Sequence, residues 1–273
     1  MKTVKTVKTE SFSMDYFQFG HGKETLVILP GLSVQSVMDF ADAVAEAYGI
    51  FDGEYTVYVL DRRKELPASY SLQEMARDTA AAIRALGLKR VNLFGASQGG
   101  MIAMEIAIHQ PELVQKLALG STAASIPEAR YRTVENWIQL AKAGEKRELY
   151  LSFGQAIYPQ EVFAQSRELL AQAAGSVTGE DLRRFVILAE SLRGFDISSD
   201  LSKIACPVLV IGSEDDRVLG ADAARQIAEG LNRQNSIVLF MYDGYGHAAY
   251  DTAPDYKARI LSFLKSETTE ARR

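Results

Sequence analysis

Residues 91–101, VNLFGASQGGM, pass from an apolar run into glycines that hold a single serine between them. Gly95 lies two places before Ser97, and Gly99 two places after it. A chain this rich in glycine and serine meets that spacing by chance roughly once in ten, so its surroundings must decide. "RVNLF" at 90–94 reads as a strand. "MIAMEIAIHQ" at 101–110 reads as a helix apolar nearly all round, and therefore buried. Ser97 then stands on the corner between them. Bulky groups two residues to either side would collide with strand and helix, which is why glycine is wanted there. The Gln98 N–H falls at the helix amino terminus, where an anion is welcome. A serine that merely capped the helix would need no flanking glycines.

The same rhythm extends in both directions. "TLVILP" at 25–30 is an apolar run ending at Pro30-Gly31, and a helical pattern follows from Val34 to Tyr48. "YTVYVL" at 55–60 is a strand that stops at Asp61. Ser71 and Glu74 open the next helix as a capping box, and Gly87 closes it. "LVQKLAL" at 113–119, "CPVLVIG" at 206–212 and "SIVLFMY" at 236–242 are further strands, and a last helix begins near Pro254. At the amino end Phe12, Met14 and Tyr16 alternate, which predicts antiparallel strands leading in. Buried strands alternating with helices predict an α/β fold: a mostly parallel central sheet of about eight strands, with helices on both faces. Roughly 80 residues separate the strand ending near Gly120 from the next one, far more than a crossover needs. Residues 125–203 are therefore expected to form a helical cap, inserted into a core made of 1–124 and 204–273.

A length of 273 residues suits one such core with an insertion, and 47% apolar and 24% charged residues are ordinary for a globular chain. The net charge of −5, with no basic block, argues against a nucleic-acid surface. No apolar run approaches the roughly 18 residues of a membrane span. "MKTVKTVKTESF" has lysines with no apolar stretch behind them, so no secretory leader is expected. Cys206 is the single cysteine, which excludes an internal disulfide and a thiolate metal site. A cytoplasmic protein acting on a small molecule, without metal or cofactor, is the expectation; oligomeric state is not legible.

A nucleophilic serine needs a base. His109 is twelve residues along the helix from Ser97, roughly 18 Å away, and His21 lies in the amino-terminal turn. His247 remains, in "GYGHAAY" directly after the last strand. An imidazole base must in turn be oriented by a carboxylate. The strand before the insertion ends in "LGSTAAS", without an acid, whereas the strand after it ends in "VIGSEDD", with Glu214, Asp215 and Asp216.

Gly95-Ala96-Ser97-Gln98-Gly99 after a strand, then "PVLVIGSED", then "GYGH", resembles the α/β-hydrolase fold family, which uses the chain order Ser, Asp, His. The resemblance covers essentially the whole chain, with the cap where that family commonly inserts one. It implies Ser97 as nucleophile, His247 as base and, as the aspartate three after Gly212, Asp215 as orienting acid. It also implies two backbone N–H donors for an oxyanion, from Gln98 and from the residue after a His-Gly pair; here Pro30-Gly31-Leu32 replaces that pair, and Leu32 offers the N–H. Asp61-Arg62-Arg63 resembles the start of the family's Asp-x-Arg-Gly-x-Gly loop, with Lys64 and Glu65 in place of small residues; Asp61 and Arg63 read as structural.

A nucleotide-binding protein would carry G-x-G-x-x-G at its first βα turn and an acid about 20 residues on, which this chain lacks. A non-catalytic ligand-binding relative need not keep a triad. A halide-releasing relative would place a carboxylate at Ser97. The reading is therefore a serine carboxylesterase for a small or medium neutral ester, working through an acyl-enzyme. A carbon–carbon bond hydrolase, lactonase, thioesterase or acyltransferase uses the same triad. Of the cap aromatics Tyr131, Trp137, Tyr150, Phe153, Tyr158, Phe163 and Phe185, Trp137 and Phe153 are the candidates to line a substrate pocket; the alternative is that all form the cap's own core.

Overall fold

The computed structural model describes residues 2–266. Eight strands form one sheet: β1 (Lys5–Lys8), β2 (Ser13–Phe19), β3 (Glu24–Leu29), β4 (Tyr55–Arg63), β5 (Val91–Ala96), β6 (Val114–Gly120), β7 (Val208–Ser213) and β8 (Ile237–Tyr242). Their spatial order is β1-β2-β4-β3-β5-β6-β7-β8. The first two strands run antiparallel to their neighbours, and all pairings from β4 to β8 are parallel. On β1 only Val7 is buried, and the lysines on this edge oppose further strand addition.

The pleat divides the core into two. Val27, Leu29, Leu93, Leu117, Leu119 and Val210 face one side of the sheet, onto α2 (Leu72–Ala85), α3 (Gln98–His109) and α8 (Asp222–Gly230). Leu26, Ile28, Val59, Phe94, Ala118 and Ile211 face the other, onto α1 (Ala41–Ala47) and α9 (Tyr256–Lys265). Alternate residues of the same strands therefore serve opposite layers, the signature of a sheet covered on both faces. Every residue of α3 from Gln98 to Ile108 is buried, as its apolar sequence requires.

The helix expected over 34–48 is shorter. Residues Val37–Phe40 form a 3₁₀ turn before α1 begins. The Ser33 hydroxyl donates to Gln35 O at 2.6 Å, and Ser36 Oγ accepts from Met38 N–H at 3.1 Å. Both serines offer the backbone a local alternative to helix, and the chain leaves β3 as a loop.

Between β6 and β7 the chain forms α4 (Glu128–Ala143), α5 (Lys146–Ile157), α6 (Gln160–Ala173) and α7 (Gly179–Glu190). Entry and exit of this insertion are tied together: Ile126 N–H donates to Phe195 O at 2.9 Å, and Ile197 N–H to Ala124 O at 2.8 Å. Residues Ser198–Lys203, a 3₁₀ segment, pack on α3 and α8 of the sheet layer. Among the described residues no helix is long and apolar enough to cross a membrane.

The Ser71–Glu74 capping box is present: Ser71 Oγ accepts from Glu74 N–H at 3.2 Å, and Glu74 Oε2 accepts from Ser71 N–H at 2.8 Å. Loss of an N-cap costs about 1 kcal/mol. Ser71→Ala should therefore lower the thermal midpoint by a few degrees, read by circular dichroism, with kcat/KM unchanged.

Candidate active site

Ser97 joins β5 to α3 at φ 51° and ψ −119°, a conformation that costs a non-glycine residue about 1–3 kcal/mol. The neighbours over-determine it. Ser97 N–H donates to Gly120 O on β6 at 2.8 Å, and the Thr122 hydroxyl donates to Ser97 O at 2.7 Å. A Cβ on Gly95 would stand 2.4 Å from Gly99 O; one on Gly99 would stand 2.0 Å from Leu29 O and 2.6 Å from Pro30 O. Neither glycine has positive φ. Space, not dihedral freedom, demands them: backbone passes backbone here, and no side chain fits.

The loop after β8 delivers His247, which is 3% exposed. Its Nε2 lies 3.0 Å from Ser97 Oγ, and its Nδ1 lies 2.8 Å from Asp216 Oδ2. With Asp216 ionised, Nδ1 carries the imidazole proton and Nε2 is left to accept from the serine hydroxyl. Burial would push the Asp216 carboxyl up, but His247 and the N–H groups of Leu219 and Val218 outweigh it and hold it below its ordinary value. The other two histidines are remote from this relay: His21 is exposed beside Asp52, and His109 pairs with Glu105.

Asp215, the carboxylate expected to orient His247, does not touch it. Its oxygens accept from the Ser213 hydroxyl at 2.7 Å, from Gly244 N–H at 3.2 Å and from Gly246 N–H at 3.0 and 3.1 Å. It organises the histidine loop, while Asp216 meets the imidazole. The reason is where β7 stops. The strand continues through Ser213, and the turn closes from Asp216 N–H to Ser213 O at 3.3 Å, so the third residue past the strand is Asp216. Asp216 Oδ1 also accepts from Val218 and Leu219 N–H at 2.8 and 2.9 Å, which turns Oδ2 toward the ring. Spacing in the sequence does not separate the two aspartates, because which of them follows the strand by three residues depends on where the strand ends.

Above Ser97 lies a partly enclosed cavity of ≈ 20 Å³, lined among others by Leu32, Trp137, Phe153, Val218, Leu219 and Tyr250, with room for about one water molecule. Trp137 and Phe153, the two candidates named from sequence, both line it, and their ring centroids are 4.6 Å apart. Phe185 supports Phe153 edge-on at 6.3 Å, and Tyr131 lies buried under Arg193. The insertion's aromatics thus divide between lining and support. Leu32 borders the cavity in the loop after β3, beside Gly31, where a Cβ would meet Ser97 Cβ at 3.2 Å. Gln98 N–H stands in the first turn of α3, where no intrahelical acceptor exists. Burial pushes the Cys206 thiol up to about 12.

The model of the alpha/beta hydrolase family matches residues 26–259. A protein described as "Putative carbamate hydrolase RutD" from Pseudomonas savastanoi pv. phaseolicola is 30% identical over 217 residues, covering 75% of this chain and 79% of that one. One of the same description from Agrobacterium fabrum is 28% identical over 203 residues, covering 73% and 77%. Among solved structures, MGS-M2, an alpha/beta hydrolase enzyme from a Medee basin deep-sea metagenome library, superposes with TM-score 0.86 at 21% identity, covering 98% of this chain and 100% of that one. An esterase from Exiguobacterium antarcticum gives 0.79 at 20%, covering 97% and 100%.

Asp215 supplies a test in acid. Burial raises its carboxyl, but Ser213 and the N–H groups of Gly246 and Gly244 outweigh this and leave it below its ordinary value. A depressed carboxylate stabilises the fold fully above the unfolded value, about 3.9, and loses that contribution as pH falls through the folded one. Asp215→Asn should be less stable than wild type in urea between pH 5 and 7. The gap should close as pH falls below about 4. A gap that is constant with pH would show that the carboxylate charge is not what holds the loop.

Proposed function

The chain belongs to the alpha/beta hydrolase family, and on that premise we propose that it is a serine carboxylesterase for small neutral acyl groups. The observation that carries the reading is the relay from Asp216 through His247 to a strained Ser97 beneath an apolar cavity. His247 Nε2 takes the hydroxyl proton as Ser97 Oγ attacks the ester carbonyl, and the carbonyl π pair moves onto oxygen. The oxyanion sits against the N–H groups of Gln98 and Leu32. Its collapse breaks the bond to the leaving alkoxide, which receives the proton from His247. Water then repeats the cycle on the acyl-enzyme and frees the acid. Asp216 keeps the ring in the productive tautomer and balances the imidazolium.

Cavity size and lining support the choice of acyl group. Apart from Ser97 and His247, its lining side chains are aliphatic or aromatic, and its free volume admits little more than a methyl or ethyl group without rearrangement of the insertion. The curated relatives favour a second reading, in which the acyl group is a carbamate. The same attack serves either class.

A fluorophosphonate probe should label the wild-type protein once, and Ser97→Ala should stay unlabelled. Asp216→Asn should lose about 10⁴-fold in kcat, while Asp215→Asn stays within tenfold of wild type once folded protein is counted. An equal loss in both would refute the assignment of Asp216. Across p-nitrophenyl acetate, butyrate and octanoate, kcat/KM should fall steeply with length, and Trp137→Ala should shift the preference toward butyrate. A p-nitrophenyl carbamate turned over faster than the acetate would decide for the second reading.

A further inference from the structure

Strand alternation fails at the end of β4. Leu60, Asp61 and Arg62 are all buried in succession. Opposite them β2 pairs Met14 with Arg63 and Tyr16 with Leu60, so a single residue faces two, which is a β-bulge. Bulges beside sites re-aim side chains, and this one turns both members of an acidic-basic pair inward.

Arg62 is 4% exposed. One Nη2 donates to Pro30 O at 2.8 Å and to Gln98 Oε1 at 3.1 Å. Both acceptors are neutral. The adjacent Asp61 carboxylate is occupied by Arg184 on α7 and by the Ser36 hydroxyl at 2.5 Å. Arg62 Nε has no partner among the described residues. A buried cation held only by neutral oxygens is costly, and an apolar chain of similar volume would fill the space at lower free energy. Its two acceptors belong to the two segments that carry the Leu32 and Gln98 N–H groups. From Gln98 the network continues outward: Nε2 donates to Leu188 O at 2.7 Å and to Ser191 Oγ at 3.2 Å, at the end of α7.

We propose that Arg62 is a positioning residue that holds the loop after β3 and the start of α3 in register, so that their two N–H groups converge on one oxyanion. Gln98 extends this register to the helical insertion. The proposal rests on the serine-hydrolase reading and adds to it a residue that touches no substrate. The Pro30 carbonyl fixes the peptide one step before the Gly31–Leu32 link, and the Gln98 amide is anchored at both ends. A cation behind both segments also favours negative charge in front of them. Misplacement of a donor by about 1 Å is enough to cost 10²-fold in rate.

The test uses Arg62→Met and Arg62→Lys in the full chain, with p-nitrophenyl acetate as substrate and trifluoroacetone, which forms a tetrahedral adduct on the serine, as the oxyanion probe. The nitrophenolate burst counts competent sites. For Arg62→Met, kcat per titrated site should fall about 10²-fold with KM within about threefold, and the Ki of trifluoroacetone should rise in parallel with the loss in kcat. Arg62→Lys should recover most of both. Unchanged kcat per titrated site, with only a lower thermal midpoint or burst, would overturn the proposal and leave Arg62 a packing residue. If Arg62→Met does not fold, Gln98→Met cuts the same link while keeping the buried cation and the backbone donors. It should show the same signature in milder form, and a wild-type Ki in it overturns the proposal. A burst that survives in Ser97→Ala is a different result: it refutes the serine reading itself, and the proposal with it.

Discussion

The contact on which the site depends is between two stretches of main chain. Gly99 lies against the carbonyls of Leu29 and Pro30 so closely that a methyl group would overlap them. That approach sets the distance between the end of β3 and the start of α3, and hence between Leu32 and Gln98. It also forces Ser97 into its strained turn, because the chain must reverse immediately after β5 to bring Gly99 there. The sheet supplies the rest by parallel order. β5, β6, β7 and β8 are consecutive neighbours, and their carboxyl ends present Ser97, Thr122, Asp216 and His247 along one edge. Such an edge is where open α/β sheets gather their functional groups.

Much of this was legible in the sequence, for identifiable reasons. Strands β3 to β8 are apolar runs with sharp ends, and an apolar run between glycines and prolines has few other uses. Ser97 and His247 followed from a corner that tolerates no side chains and from a shortage of histidines. The choice between Asp215 and Asp216 was not legible. It turns on whether β7 ends at Gly212 or Ser213, a one-residue question that spacing cannot answer. Each aspartate has a structural task in the same turn, so both look equally purposeful in the sequence. Arg62 was hidden for a related reason: a bulge leaves no mark on the pattern of β4, and alternation would have placed one of two adjacent charges outside. The short first helix reflects Ser33 and Ser36, whose local bonds compete with a periodicity that otherwise reads as helical.

The aromatic residues of the insertion show why composition alone could not assign them. Trp137 faces the cavity and packs at a tilt against Phe153, which faces the cavity and leans on Phe185. Lining and core are one continuous packing. A change at the wall is therefore transmitted to the layer behind it.

The tie between residues 124–126 and 195–197 places both ends of the insertion a single ladder step apart. Seen from the sheet, everything between them is one closed loop. The entropy of closing such a loop grows only with the logarithm of its length, so the sheet is nearly indifferent to how much chain hangs from that step. Ser97, Asp216, His247 and the segments of Leu32 and Gln98 lie outside it. Length can thus vary at little cost to the sheet, while α7 stays tied to it through the Gln98 amide on Leu188 O and Ser191 Oγ and through Arg184 on Asp61.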